Sequence, residues 1–272
     1  LSIVLGAYAQ FFGKRDSKTS DIPTNNTTDE NVIENPVQPE KEKTMEELKN
    51  EFVKTINNSF NVEEKDISKI ERINTEKSIV YIAYSIQQEN KFYDIDLNIP
   101  MINIKGNIPK EFNKVTQEVF VKKANEVRKN KNNAEKIIYS IDYVGYLNDN
   151  ILSIIIKSSL KQGNNPQRII IQTYNYNIET KEKVSLNNII EQKNINVQEL
   201  QNKINDVLKS VKKEETILIN SGYPVYERNL ESEIYKIENI TNFFLNGEGK
   251  LYIVFAYGNQ NFTSEFDIVK YE

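Results

Sequence analysis

The chain has 272 residues, with 35 Lys and Arg against 39 Asp and Glu for a formal charge of -4, and it contains no His, Cys or Trp. Without His there is no imidazole base and no Ser-His-Asp triad. Without His or Cys there is no ordinary zinc or copper site, disulfide, thiol nucleophile or iron-sulfur cluster, and the near balance of charge leaves no electrostatic footprint for nucleic acid.

Residues 1–15 open on LSIVLGAYAQFF, apolar apart from Ser2 and Gln10. A dozen apolar residues are too few to span a bilayer, which takes ~20. A chain starting at Leu1 inside such a run reads as the remnant of a signal peptide or transmembrane anchor. Ala7-Tyr8-Ala9 then supplies the small-x-small pattern that signal peptidase reads, at Ala7 and Ala9. Lys14-Arg15 on the far flank opposes outward passage by charge bias, and the competing reading is a short core-packing segment. Residues 16–43 combine three prolines, high charge and few apolar side chains. Such a stretch buries too little surface to offset its ordering entropy, so it is predicted to be a disordered tether.

Order is predicted to begin at Thr44-Met45-Glu46-Glu47, which fits a capping box. Met45, Leu48, Phe52, Ile56 and Phe60 then share one helical face. A second short helix is expected over Glu63 to Ile73. Ser78 to Gln87 reads as a strand. In Lys91 to Ile99, Tyr93, Ile95, Leu97 and Ile99 alternate with polar or outward positions, which predicts one buried and one wet face of an antiparallel sheet. Pro100 is expected to end that pattern. A helix should begin near Pro109 and run to about Lys129, with Phe112, Val115, Val119 and Phe120 toward the core.

Three strands are predicted next, over 136–147, 150–160 and 168–178, joined by turns at Asn148-Asp149 and Gly163-Asn164-Asn165-Pro166. A short helix over Leu186 to Gln192 precedes a longer one from Val197 to Val211, which carries Leu200, Ile204, Val207, Leu208 and Val211 at helical spacing. The last strands are expected over 241–245, 250–257 and 262–271. Strand meanders with interspersed helices and no regular βαβ rhythm argue an α+β fold of antiparallel sheets with packed helices. Two sheet-helix subunits, 44–180 and 181–272, are expected to form one body.

Motifs for catalysis are sparse. No P-loop, dinucleotide fingerprint or EF-hand loop is present, and no cofactor or metal is expected. Gly222, Gly247 and Gly249 read as turn glycines. Asp94 and Asp96 share one strand face, where a carboxylate pair could serve glycoside chemistry or a solvated surface. The aromatics carry more information, with fifteen Tyr and twelve Phe. Tyr223, Pro224, Tyr226 and Arg228 fall in one loop, and Tyr257, Asn259 and Phe262 in another. Tyr and Arg are the usual anchors of protein interfaces. These seven residues are therefore the candidate protein-binding set, against the alternative that the aromatics plug the ends of the core.

Three segments resemble an extracytoplasmic domain family of Gram-positive bacteria. Asp94 to Phe120 (DIDLNIPMINIKGNIPKEFNKVTQEVF) is similar to its alternating strand, Pro-x-Ile step and following helix. Tyr176 to Ile190 (YNIETKEKVSLNNII) resembles its strand-turn-helix, with Thr180-Lys181-Glu182-Lys183 in place of the turn glycine. Asn242 to Ala256 (NFFLNGEGKLYIVFA) is similar to its penultimate hairpin. The family includes the RsiV-like anti-sigma factors and the N-terminal region of some peptidoglycan deacetylases. For the first group the resemblance implies a single-pass anchor and a sensor domain that binds lysozyme. Binding there exposes a juxtamembrane segment to signal peptidase, and stepwise proteolysis frees a sigma factor. The chain departs from the family pattern at Ala256 to Phe262, where the prolines of its lysozyme-contacting loop are missing.

The expectation is thus an extracytoplasmic, membrane-anchored or secreted binding module with no catalytic activity. Its partners would be an envelope protein such as lysozyme and signal peptidase. The alternative is a cell-wall glycan-modifying enzyme, or its accessory domain, of the peptidoglycan deacetylase type.

Overall fold

The computed structural model describes residues 43–62, 70–132 and 135–271. The expected anchor remnant with Ala7 and Ala9, the tether over 16–42 and most of the second short helix lie outside them. Of that helix only Ile70 to Ile73 is described, and Arg72 there forms an isolated antiparallel bridge to Ile104 rather than a helical turn.

Helix α1 (Met45–Thr55) starts on the expected capping box, with Glu47 N donating to Thr44 Oγ1 at 3.2 Å and Thr44 N donating to Glu47 Oε2 at 2.8 Å. It stops before the apolar stripe does. Asn58 takes a positive φ of 59°, a conformation Asn tolerates and a helix does not. Phe60 therefore falls in strand β1 (Ser59–Asn61), parallel to β4 at Val144 to Tyr146. Gly145 makes this possible, because a Cβ there would stand 2.9 Å from the Phe60 ring.

Strands β2 (Val80–Glu89) and β3 (Tyr93–Ile102) pair antiparallel. Tyr93, Ile95, Leu97 and Ile99 are all buried, as the alternation predicts. Pro100 does not end the strand. Opposite it the β2 register shifts between Ile82 and Tyr84, and β4 contacts β3 only as far as Leu97. Helix α2 (Asn107–Arg128) carries the chain back to β4 (Ile137–Asn148), so β3 and β4 run parallel, a correction to the antiparallel expectation. A helical crossover is what a parallel pair requires.

Helix α2 buries Asn113, Thr116, Phe120, Ala124 and Val127, whereas Val115 and Val119 are 50% and 56% exposed. The predicted face was wrong at those two valines for a definite reason. Asn113 faces the sheet, accepting from Ile102 N through Oδ1 and donating to Ile102 O through Nδ2, both at 2.8 Å. A polar side chain takes the core position because it satisfies both backbone groups at the strand end.

Strands β5 (Ile151–Gln162), β6 (Arg168–Asn177) and β7 (Glu182–Lys183) complete a seven-stranded sheet of order β2-β3-β4-β5-β6-β7, with β1 added alongside β4. Helices α3 (Leu186–Gln192) and α4 (Val197–Asn220) follow, α4 running nine residues past the predicted end. Strands β8 (Phe243–Leu245), β9 (Leu251–Ala256) and β10 (Phe266–Tyr271) form a second, antiparallel sheet.

Three apolar clusters show how these elements stack. The first joins α2 to one face of the large sheet through Ile95, Leu97, Phe120, Ile141 and Ile154. The second joins α3 and α4 to the small sheet through Ile189, Leu200, Ile204, Ile253 and Val269. The third joins the two sheets, bringing Val144, Ile155 and Ile171 against Val254, Phe266 and Ile268, with Phe52 of α1 at its side. The result is a mixed α+β fold of helix, sheet, sheet and helix layers. Burial from both faces explains why Ile151 to Ile156 is apolar at every position except Ser153. Lys43–Glu272 is one compact unit. No helix among the described residues is long and apolar enough to cross a membrane.

Candidate functional site

The two predicted contact loops meet beside the small sheet. Helix α4 ends in a turn at Gly222, whose φ is 83°, and the chain then returns along the end of β10. Tyr226 stacks on Tyr257 with ring centroids 4.2 Å apart, and Tyr226 N donates to Glu265 Oε1 at 2.6 Å. The 257–263 loop is fixed from its other side by β6. Arg168 Nε donates to Gly258 O at 2.6 Å, and Asn259 bonds both backbone groups of Ile171. Gly258 lies so close to β6 that an added Cβ would overlap the Ile169 carbonyl oxygen. Together with Asn242, which also bonds Ile171 O and Thr173 N, Asn259 covers the outer edge of β6 with side-chain amides in place of a further strand.

At the centre lies Arg228, only 3% exposed. Its Nε donates to Asp267 Oδ2 at 2.6 Å, and Nη2 donates to Asp267 Oδ1 and to Glu265 Oε2, both at 3.0 Å. Nη1 donates to Tyr226 O at 3.0 Å and lies 3.4 Å from Glu215 Oε2, which also accepts from Arg228 N at 3.0 Å. Tyr257 donates its hydroxyl to Asp267 Oδ2 at 2.6 Å and pairs with the Tyr235 hydroxyl at 3.0 Å. Two lysines from opposite sides complete the set: Lys49 of α1 lies 3.1 Å from Asp267 Oδ1, and Lys212 of α4 lies 2.6 Å from Glu215 Oε1.

The charges are mutually compensated, as burial demands. Burial disfavours the Arg228 cation, but the hydrogen-bonded Asp267 carboxylate outweighs it and holds the guanidinium charged. Burial likewise works against the Asp267 anion, and Arg228 and Lys49 overcome it, so its pKa lies below the usual carboxylate value. Burial pushes the Tyr257 hydroxyl up, helped by Asp267, and pushes Tyr235 up to about 12.

The predicted residues thus divide. Arg228 and Tyr257 are buried in the network, where they fix the loops and face no solvent. Tyr226 and Asn259 are half-buried and also bonded inward. Tyr223, Pro224 and Phe262 are exposed, Tyr223 at 45% and Phe262 at 50%. Ile217, Leu218 and Ile219 add exposed apolar side chains at the end of α4.

Glu215, Glu265, Asp267 and Lys49 escaped the sequence reading. Glu215 had a visible signal, since it continues the buried stripe of Leu200, Ile204, Leu208 and Val211 by one more helical step. Asp267 had another, as a lone carboxylate between Phe266 and Ile268 in a strand buried on both faces.

Asp94 and Asp96 lie on β3 near Asp142 of β4. Partial burial, with repulsion from Asp142 and Asp94, holds the Asp96 carboxyl above its ordinary value. Among the described residues no group of three or more acidic side chains is arranged to hold a metal ion.

Fold and site together define a mixed α+β protein whose paired surface loops are locked by a buried ion network. Among solved structures the chain is similar to a DUF3298 family protein from Pseudomonas aeruginosa, at 12% identity and a TM-score of 0.38, covering 74% of this chain and 88% of that one. It is also similar to a DUF3298 family member from Bacteroides fragilis, at 10% identity and a TM-score of 0.35, covering 65% and 81% respectively. No family model and no curated protein matches the chain.

Proposed function

We propose that the protein is an extracytoplasmic binding module of the RsiV-like sensor kind, held at the membrane by an N-terminal anchor. It recognises lysozyme or another envelope protein through the paired loops and controls signal-peptidase cleavage at Ala7 to Ala9. The observation that supports this reading is the junction itself. Two loops about thirty residues apart in sequence share one buried network, so Tyr223, Pro224 and Phe262 are presented on a pre-organised support. Exposed aromatic anchors on a rigid scaffold bind with little ordering cost. Lys49 adds a route toward the N-terminus, because α1 is held to the same Asp267 that holds Arg228. A ligand shifts such an equilibrium only through different affinities for the two states. A partner that alters the hold on Asp267 changes how firmly α1 is docked.

Calorimetric titration with hen egg-white lysozyme tests the binding step. A one-to-one complex, weakened at least tenfold by Tyr223→Ala combined with Phe262→Ala, supports the reading. Absence of binding, or an unchanged affinity in that variant, removes it. A second reading, a cell-wall glycan-modifying enzyme or its accessory domain, draws on the raised Asp96 carboxyl, since a general acid needs such a shift. Mass spectrometry of peptidoglycan incubated with the protein separates the two, product formation favouring the enzyme.

A further inference from the structure

Thr216 to Tyr226 (TILINSGYPVY) is a run of eleven residues without a charge, in a chain where Lys, Arg, Asp and Glu make up 27%. It covers the last turn of α4 and the start of the segment that returns to β10. The helix is seated as far as Glu215 by a buried stripe of Leu200, Ile204, Leu208, Val211 and Glu215. From Thr216 to Pro224 every residue is exposed, with Ile217 at 66%, Leu218 at 37% and Ile219 at 43%. Positions 216 to 220 are consecutive and span more than the 3.6 residues of one turn. Among the described residues nothing therefore covers any side of this turn, and α4 projects past the body. A Cβ added at Gly222 would meet nothing within 4 Å.

The backbone of this tip is matched within itself. Ile217 O accepts from Ser221 N at 3.1 Å and from Ser221 Oγ at 2.8 Å, Leu218 O accepts from Tyr223 N at 3.0 Å, and Ile219 O accepts from Gly222 N at 2.9 Å. The positive φ of Gly222 closes this C-terminal motif. Thr216 Oγ1 also turns inward, donating to Lys212 O at 2.8 Å. A helix end ordinarily leaves its last carbonyls to water, and this one does not need to.

We infer that the tip of α4 inserts into the interfacial region of a lipid bilayer. A protein groove reads one face of a helix, at i, i+3, i+4 and i+7. Ile217, Leu218 and Ile219 are instead adjacent in sequence and point around the helix, which suits a medium that surrounds the tip. Lipid also demands that backbone polar groups be satisfied internally, as they are here. Tyr223 suits the headgroup level, and the Asn220 amide keeps the insertion shallow. Lys213 and Glu214 on one flank and Glu227 on the other leave no excess of cations, so the attraction is apolar and independent of headgroup charge. This goes beyond the lysozyme reading and does not need it. Tyr223 is common to both surfaces, so lipid and a protein partner exclude each other there.

The test uses the absence of Trp from the chain. Ile219→Trp in the full chain gives a single reporter, mixed with phosphatidylcholine vesicles with and without brominated acyl chains. Its emission is expected to move to shorter wavelength on vesicles and to be quenched at least twofold by bromine. Val119→Trp, at an exposed site on α2, should show neither effect. Adding Ile217→Gln and Leu218→Gln to Ile219→Trp should abolish the quenching while the thermal midpoint stays within about 2 °C, because all three sites are exposed. Attachment through the apolar residues 1–12 alone would leave the reporter at 219 in water, so the quenching decides and not the binding. The assignment is overturned if the reporter at 219 is not quenched, if that at 119 is quenched equally, or if quenching survives the two Gln changes. A requirement for phosphatidylglycerol, with loss of quenching in about 0.5 M salt, overturns it as well. So does a shift that appears without vesicles as protein concentration rises, which would mark a contact between copies of the chain.

Discussion

Arg228 grips Asp267 with two nitrogens, Nε on Oδ2 at 2.6 Å and Nη2 on Oδ1 at 3.0 Å, in a site with almost no solvent contact. The pair ties the segment after α4 to β10, an edge strand of the small sheet. Removing one member of a buried pair leaves the other charged and unmatched, at a cost of about 3–5 kcal/mol. Arg228→Met is therefore expected to destabilise the protein by roughly that amount in urea unfolding. Arg228→Met with Asp267→Leu should cost less than the two single changes summed, because the guanidinium and the carboxylate that bond each other are removed together. Additive costs would show that the pair is not energetically coupled.

Asp267 also sets the behaviour in acid. Its pKa lies below the ordinary 3.8. Between those two values the unfolded chain binds a proton that the folded chain does not, so stability falls as pH falls through that window and is complete above it. The wild type should lose stability more steeply below about pH 4 than Asp267→Asn does, even though that variant starts lower. Parallel unfolding curves for the two proteins across this range would remove the assignment.

Tyr257 and Tyr223 should respond oppositely to truncation, although the sequence placed both among the contact residues. Tyr257 is buried and donates to Asp267, so Tyr257→Ala is expected to cost about 3–5 kcal/mol. Tyr223 is exposed, and Tyr223→Ala should stay within about 0.5 kcal/mol. Thermal unfolding of the two variants decides it, and this is why Tyr223, not Tyr257, belongs in a binding assay.

The face of α2 can be tested in the same way. Asn113→Ala strips partners from Ile102 N and O and is expected to cost about 2–4 kcal/mol, more than its size alone suggests. Val119→Ala removes an exposed side chain and should change stability by less than about 0.5 kcal/mol. Equal losses would mean that the helix is rotated relative to the sheet.

Local chemistry made much of this legible in advance. The Thr44 to Glu47 capping box, the alternation from Tyr93 to Ile99 and the three long strands from 136 to 178 depend on neighbours close in sequence, and they appear in the structure nearly where expected. The valines of α2 misled because Asn113 satisfies a strand end eleven residues away, a gain that hydrophobic spacing does not register.

The amino-acid sequence by itself determined the α+β class, the order of the longer strands and of the four described α-helices, and the absence of imidazole and thiol chemistry, since these follow from composition and from periodicities of two and 3.6 residues. Only the tertiary structure decided which aromatics face solvent and which are locked. Arg228 meets Asp267 across thirty-nine positions and Lys49 meets it across more than two hundred. Attraction between charges depends on distance and dielectric, neither of which is written in the spacing of residues along a chain.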